Sequence, residues 1–290
     1  MKAKLTALLL VLVTALGCLT GCDYVSANDE TPLSASAATT PVTTAQTGNM
    51  TAPKYVFLFI GDGMSYPQIQ STADYLGALE DEDYFMAQPS LDDNQGAILD
   101  GPSYLNFMNF DVAGSAVTYD SNSFAPDSAS TATSIATGYK TYSGSINVDE
   151  TGSIAYETIS EKLHEQKGYS VGVISSVNLN HATPAAFYAH QASRSSYYEI
   201  GLELIDSGFE YFAGGGLLSP EGDGTQSSLY SLAERAGYTV AMTQAEAETI
   251  TAEDGKVILI DEYLADGDAM AYELDRTEDM WALSDYVEKG

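Results

Sequence analysis

Residues 54–60 (KYVFLFI) are apolar at successive positions, with no polar side to the run, which is the pattern of a strand buried on both faces. The Gly61-Asp62-Gly63 that follows predicts a tight loop. Similar runs occupy residues 169–177 (YSVGVISSV) and 256–260 (KVILI), with weaker ones at 209–213 and 238–241. Between them the spacing of apolar positions predicts helices over 154–166, 184–191, 197–207, 227–236 and 275–288. Small residues from Ser128 to Thr137 predict one more. Strands alternating with helices of these lengths predict an α/β fold, a mostly parallel central sheet with helices on both faces. Ligands then belong at the carboxyl ends of the strands. No internal repeat interrupts the pattern.

The first segment reads differently. Lys2 and Lys4 precede an apolar run over residues 5–16 that is too short to span a bilayer, so the start reads as a signal peptide. The run ends in Leu19-Thr20-Gly21-Cys22, which resembles the bacterial lipoprotein box and implies lipidation of Cys22. The alternative is a soluble secreted protein with an incidental cysteine, and Cys18 ends a poorer copy of the same pattern. Residues 23–50, rich in Ser, Thr, Ala and Pro, read as a flexible tether, and residues 51–290 as the folded domain. The expected location is outside the cytoplasm, anchored to a bacterial membrane at the cell surface or in the periplasm.

Composition narrows the partners. With 11 Lys and Arg against 41 Asp and Glu the formal net charge is −30, which excludes an ordinary basic nucleic-acid binder. The hydrophobic fraction of 44% is enough for a sizeable core. Both cysteines lie in the first 22 residues, so no disulfide can staple the domain, and packing, with or without bound metals, must stabilise it.

Three stretches carry candidate chemistry. Asp62 stands between glycines that let backbone approach a ligand, where a carboxylate could hold a divalent cation, although a Gly-Asp-Gly alone is more often a turn. In Asp127-Ser128-Ala129-Ser130-Thr131-Ala132-Thr133, followed by Gly138-Tyr139-Lys140, a helix start would present Ser128 beside free backbone N–H groups that favour a phosphate oxygen. Read alone, Asp127 is a helix cap there. In Asn180-His181-Ala182-Thr183-Pro184, Pro184 is expected to open a helix and leave His181 and Thr183 in the preceding loop. Arg194 could grip two oxygens of a phosphoryl group. His190 and His164 read as packed or surface histidines.

Together these stretches resemble the alkaline phosphatase family from Tyr55 to about Gly216: the strand with Gly-Asp-Gly-Met, Pro-Asp-Ser-Ala-x-Thr-Ala-Thr running into Thr-Gly-Tyr-Lys-Thr-Tyr-Ser-Gly, and His-Ala-Thr-Pro-Ala-Ala followed by Ser-Arg. The resemblance implies a phosphate monoester hydrolase using Zn2+ and Mg2+. Ser128 would be the nucleophile, passing through a phosphoserine. Asp62 would bridge zinc and magnesium, Thr183 would ligate magnesium, Arg194 would clamp the phosphate, and His181 would tune the magnesium surroundings without ligating. A protein at −30 repels phosphate monoesters at long range, so metal and arginine must make the pocket positive. Family members are often homodimers. Gly214-Gly215-Gly216 also looks like the family's, as a structural turn.

The resemblance also breaks. The family's later magnesium Glu and its zinc Asp and His ligands have no counterpart, since the three histidines are His164, His181 and His190. The expectation is an amino-terminal portion of a longer enzyme, weakly active or inactive alone. A stop codon directly after Gly290 in the source reading frame would refute it. The competing readings are a related metal-dependent sulfatase, phosphodiesterase or phosphonate hydrolase, and a lipid-anchored phosphate-binding protein without catalysis.

Overall fold

The computed structural model describes residues 52–80 and 102–290. The expected signal peptide, Cys22 and tether lie outside the described residues. The chain divides into two units, Met1–Leu58 and Phe59–Gly290, and the second holds every element named below.

Four strands form one parallel sheet: β1 (Gly172–Asn178), β2 (Tyr211–Gly215), β3 (Tyr238–Ala241) and β4 (Lys256–Ile260), in the order β1-β2-β4-β3. Their residues alternate between two cores. Phe212, Tyr238, Ile258 and Ile260 face one, packed with Ile200, Leu204 and Ile205 of α5 (Tyr197–Asp206) and Leu229 and Ala233 of α6 (Leu229–Arg235). Ala129 and Ala132 of α2 (Ser128–Thr137) join the same core. Ala213, Ala241, Val257 and Leu259 face the other core, with Ala247 of α7 (Gln244–Thr249) and Tyr286 of α8 (Leu283–Lys289). Burial on both faces is why these strands carry near-continuous apolar runs.

Gly214 and Gly215 are not a turn but the last two residues of β2. A Cβ on Gly214 would stand 1.8 Å from the Ser175 carbonyl oxygen, and its φ of +129° is open only to glycine. Gly214 and Gly215 are needed because β1 and β2 come too close there for side chains, whereas a Cβ on Gly216 would meet Asp268 and Leu264 at 3.3 Å.

The expected strand over residues 54–60 does not form. No described segment pairs with it, and Tyr55, Val56, Phe57, Leu58 and Phe59 are more than half exposed, Phe59 by 75%. An apolar run specifies a wish for burial, but a strand exists only when a neighbour supplies the other half of the ladder. Two helices are additional to those predicted, α1 (Tyr66–Glu80) and α7.

Helix starts differ where capping overrides apolar spacing. α3 runs Ile159–Lys167 rather than from 154, because Thr158 and Glu161 close a capping box. The helix expected over 275–288 shrinks to α8, residues before it being taken up in turns closed by the Asp275 N–H on Tyr272 O and the Met280 N–H on Thr277 O.

His190 is packed, not free. Its Nε2 lies 3.5 Å from Glu161 of α3 and its Nδ1 3.5 Å from Glu203 of α5. Burial alone would depress the imidazole pKa, but the two carboxylates outweigh it and hold the pKa at about 10, while the histidine in turn pulls both carboxyls below their usual range. A raised folded pKa stabilises fully below the unfolded value near 6.5 and ceases to as pH climbs through about 10. The lowered carboxyls add stability above about pH 4.5 that is lost in acid. The difference in thermal midpoint between the unmodified protein and His190→Gln is therefore expected to peak between about pH 4.5 and 6.5 and to shrink steadily towards pH 10. A difference that grows with pH would contradict the ion triad.

Candidate active site

The site is assembled at the carboxyl end of β1 from segments distant in sequence. Gly63, with φ +67°, turns the chain so that the Met64 N–H reaches Gly61 O at 3.1 Å, and Asp62 sits at that turn. Its carboxylate accepts from two hydroxyls: Ser128 Oγ donates to Oδ1 at 3.0 Å, and Thr183 Oγ1 donates to Oδ2 at 2.7 Å.

Ser128 is the first residue of α2. Asp127 caps that helix, its Oδ1 accepting the Ser130 N–H at 3.1 Å. Thr183 lies inside α4 (Ala182–Ala185), which begins two residues before Pro184, with His181 as its N-cap. The expected loop is thus a helix. Proline is tolerated anywhere in a first turn, whose N–H groups have no intrahelical acceptor. His181 remains at the boundary and Thr183 does not.

Arg194 closes the cluster. Its Nη1 donates to Asp127 Oδ2 at 2.8 Å, and its Nη2 stands 3.3 Å from His181 Nε2. A guanidinium can only donate, so that nitrogen of His181 accepts and Nδ1 carries the hydrogen. Nδ1 is buried and has no hydrogen-bond partner among the described residues. Burial and the Arg194 charge push the His181 pKa down, with Asp62 opposing, which keeps the ring neutral at pH 7. For Asp127, burial raises the carboxyl pKa, but hydrogen bonds from the backbone of Ser130 and Gly144 and from Arg194 bring it below the ordinary value.

Two devices hold these parts in place. The Arg194 N–H bonds Gly144 O at 2.7 Å, beside the bridge that pairs Ile146 with Gln191. Asn147, fully buried at φ +49°, donates from Nδ2 to Ala186 O and Ala189 O, and its own N–H reaches Thr133 Oγ1 at 2.9 Å. That ties α2 to the turn after α4.

Asp62, Ser128 and Thr183 offer hard oxygens of the kind magnesium takes, as part of a shell. They do not make a zinc site, since among the described residues no three His, Cys, Asp or Glu side chains gather as ligands. The Asp127–Arg194 pair, 67 residues apart in sequence, was not legible beforehand; an N-cap acid carries no sign of a distant arginine.

These features define the class: a parallel α/β domain that collects an acid, two hydroxyls and an arginine at its strand ends. The alkaline phosphatase family model matches residues 53–207, and the chain belongs to that family. It is 32% identical to alkaline phosphatase 4 of Bacillus subtilis strain 168 over 155 residues, 52% of this chain and 29% of that protein. To alkaline phosphatase 3 of the same organism it is 28% identical over 246 residues, 82% of this chain and 47% of that one. The solved structure of a cold-active alkaline phosphatase from a psychrophilic Shewanella species superposes with a TM-score of 0.56 at 28% identity, covering 75% of this chain and 47% of that one. The chain thus spans half or less of the length of these relatives.

Asp127 is both cap and ion-pair partner, whereas the bonds to Asp62 face solvent. Asp127→Ala is expected to cost about 1–2 kcal/mol in urea unfolding, and Asp62→Asn less than about 1 kcal/mol. Equal costs would mean that Asp127 serves only as an exposed cap.

Proposed function

We propose that the protein hydrolyses phosphate monoesters through a phosphoserine on Ser128. The observation that supports this best is the Ser128 hydroxyl held 3.0 Å from the Asp62 carboxylate at the start of a helix. Ser128 Oγ bonds to phosphorus as its proton passes to Asp62 Oδ1, and the ester P–O bond breaks, the leaving oxygen taking up that proton to depart as the alcohol. Water then attacks the same phosphorus, the Oγ–P bond breaks, and inorganic phosphate leaves with Ser128 reprotonated. Arg194, held by Asp127 and flanked by neutral His181, offers its N–H groups to the equatorial phosphoryl oxygens. Free N–H groups at the start of α2 favour the same charge.

Asp62 and Thr183 would hold magnesium, and zinc would need ligands other than the described residues. Bound cations would supply positive charge that lowers the hydroxyl pKa and steadies the leaving oxygen. Because the zinc donors are not among the described residues, the 290-residue chain alone is proposed to turn over little ester. It would act as the amino-terminal portion of a longer enzyme. Export, lipidation at Cys22 and a tether over residues 23–50 belong to this reading and rest on the sequence alone. A homodimer rests on the family resemblance alone.

The test loads the full-length gene product with zinc and magnesium, adds a phosphate monoester at mildly acidic pH, quenches in acid and maps the phosphate by mass spectrometry. Phosphate on Ser128 is expected, and Ser128→Ala is expected to lose it together with on the order of a thousandfold or more in kcat/KM. An unlabelled Ser128 in metal-loaded protein that still binds phosphate would favour the non-catalytic binding protein.

A further inference from the structure

Asp120 is one of two carboxylates buried among the described residues, at 5% exposure, and the mechanism above does not use it. Its Oδ1 accepts the N–H groups of Asn122 at 2.9 Å and Ser123 at 2.6 Å, which closes its own turn. Its Oδ2 points the other way and accepts from Ser143 Oγ and from Ser130 Oγ, the latter at 3.0 Å. Ser130 is fully buried in the first turn of α2, two residues after Ser128. The same hydroxyl oxygen lies 2.9 Å from Asp127 Oδ1, and Asp127 Oδ2 holds Arg194. One hydroxyl therefore separates a buried carboxylate from the carboxylate that grips the arginine.

A serine hydroxyl has a single hydrogen, so it can serve only one of the two acids. Given to Asp127, it leaves Asp120 Oδ2 with the Ser143 hydroxyl as a donor but facing a bare oxygen lone pair at 3.0 Å, and a carboxylate only 5% exposed is shut off from water that could replace the lost bond. Given to Asp120, it sets the same lone pair 2.9 Å from Asp127 Oδ1, but that oxygen keeps the Ser130 N–H at 3.1 Å and the Asp127 side chain is 26% exposed, so solvent can make up the loss. We infer that Asp120 is a positioning residue: it draws the Ser130 hydroxyl to itself, so that Asp127 turns an undivided charge on Arg194 and holds the guanidinium still. This rests on the phosphate-clamp reading of Arg194 only for its consequence, tighter phosphate binding, and not for the hydrogen-bond arrangement itself.

The Asp120→Asn substitution keeps the shape and reverses the polarity. The two backbone N–H groups require the amide oxygen on the Oδ1 side, so the amide nitrogen takes the Oδ2 side and donates to Ser130 Oγ. The Ser130 hydrogen must then turn to Asp127 and share the charge that held Arg194.

Nuclear magnetic resonance of the Arg194 guanidinium, assigned by its loss in Arg194→Lys, reads this in the free full-length chain. Rotation about the guanidinium is expected to speed up about threefold or more in Asp120→Asn and to change less in Ser143→Ala, which removes a hydrogen bond from the same oxygen but leaves the Ser130 hydroxyl free to donate to it. In a Ser130→Ala background, Asp120→Asn is expected to have no effect on the arginine. Unchanged rotation in Asp120→Asn, or equal changes in Asp120→Asn and Ser143→Ala, would overturn the inference and leave Asp120 a plain structural acid. Should Asp120→Asn not fold, deuterium isotope shifts on the carboxyl carbons decide. Ser130→Ala must then reduce the shift at Asp120 and leave that at Asp127; the reverse refutes the arrangement. Titration with inorganic phosphate adds the second arm, with affinity expected to fall about threefold to tenfold in Asp120→Asn. Failure of the unmodified protein to bind phosphate would count against the function proposed for Arg194, while the rotation result would still judge Asp120.

Discussion

Three segments of the chain meet at one carboxylate. Asp62 accepts from Ser128, 66 residues on, and from Thr183, 121 residues on, so three separate segments meet at its two oxygens. Both bonds face solvent, where each contributes only about 0.5–1.5 kcal/mol. Bonds that weak cannot gather the segments. They report an arrangement that the scaffold imposes: the parallel sheet that ends β1 beside α4, the cap that fixes the first turn of α2, and the Asn147 side chain that ties α2 to the residues after α4.

Charge shapes the site as strongly as geometry. Against 41 acidic residues the chain carries 11 Lys and Arg, so any anion near it meets a repulsive field. Arg194 is positioned by Asp127 and bordered by a histidine kept neutral by burial and by the arginine itself. The pairing has a cost in net charge, because the partner acid cancels the cation it steadies. A bound phosphoryl group would then gain mainly from directed N–H donors, and cations at Asp62 would have to supply the surplus positive charge. An acidic network that runs from Asp120 through Ser130 to Asp127 makes sense in that setting, as it steers the charge of Arg194.

The most informative departure from expectation is the apolar run at residues 54–60. It has the composition of a central strand and none of the pairing, with Phe59 three-quarters exposed. Residues 256–260, a shorter run of the same kind, are buried between β2 and β3. The two differ in their neighbours and not in their pattern. The same lesson applies to helix ends: Thr158 with Glu161, and His181 with the proline two residues inside α4, set boundaries by local hydrogen bonding where apolar spacing pointed elsewhere.

By itself the sequence determined what is local or periodic. The parallel α/β class, four strands and most helices follow from continuous apolar runs and helical spacing, the cap at Asp127 follows from turn chemistry, and Asp62, Ser128, Thr183 and Arg194 stand out as candidates within short motifs. Only the tertiary structure decided which of those residues meet, that Asp127 serves Arg194 as well as its helix, that His190 is locked between Glu161 and Glu203, and that Asp120 stands one hydroxyl away from the arginine's partner. The reason is physical. Propensity and pattern act over a few residues, whereas ion pairs and buried hydrogen bonds depend on distances set by packing between segments far apart in the chain, and no stretch of sequence carries those distances alone.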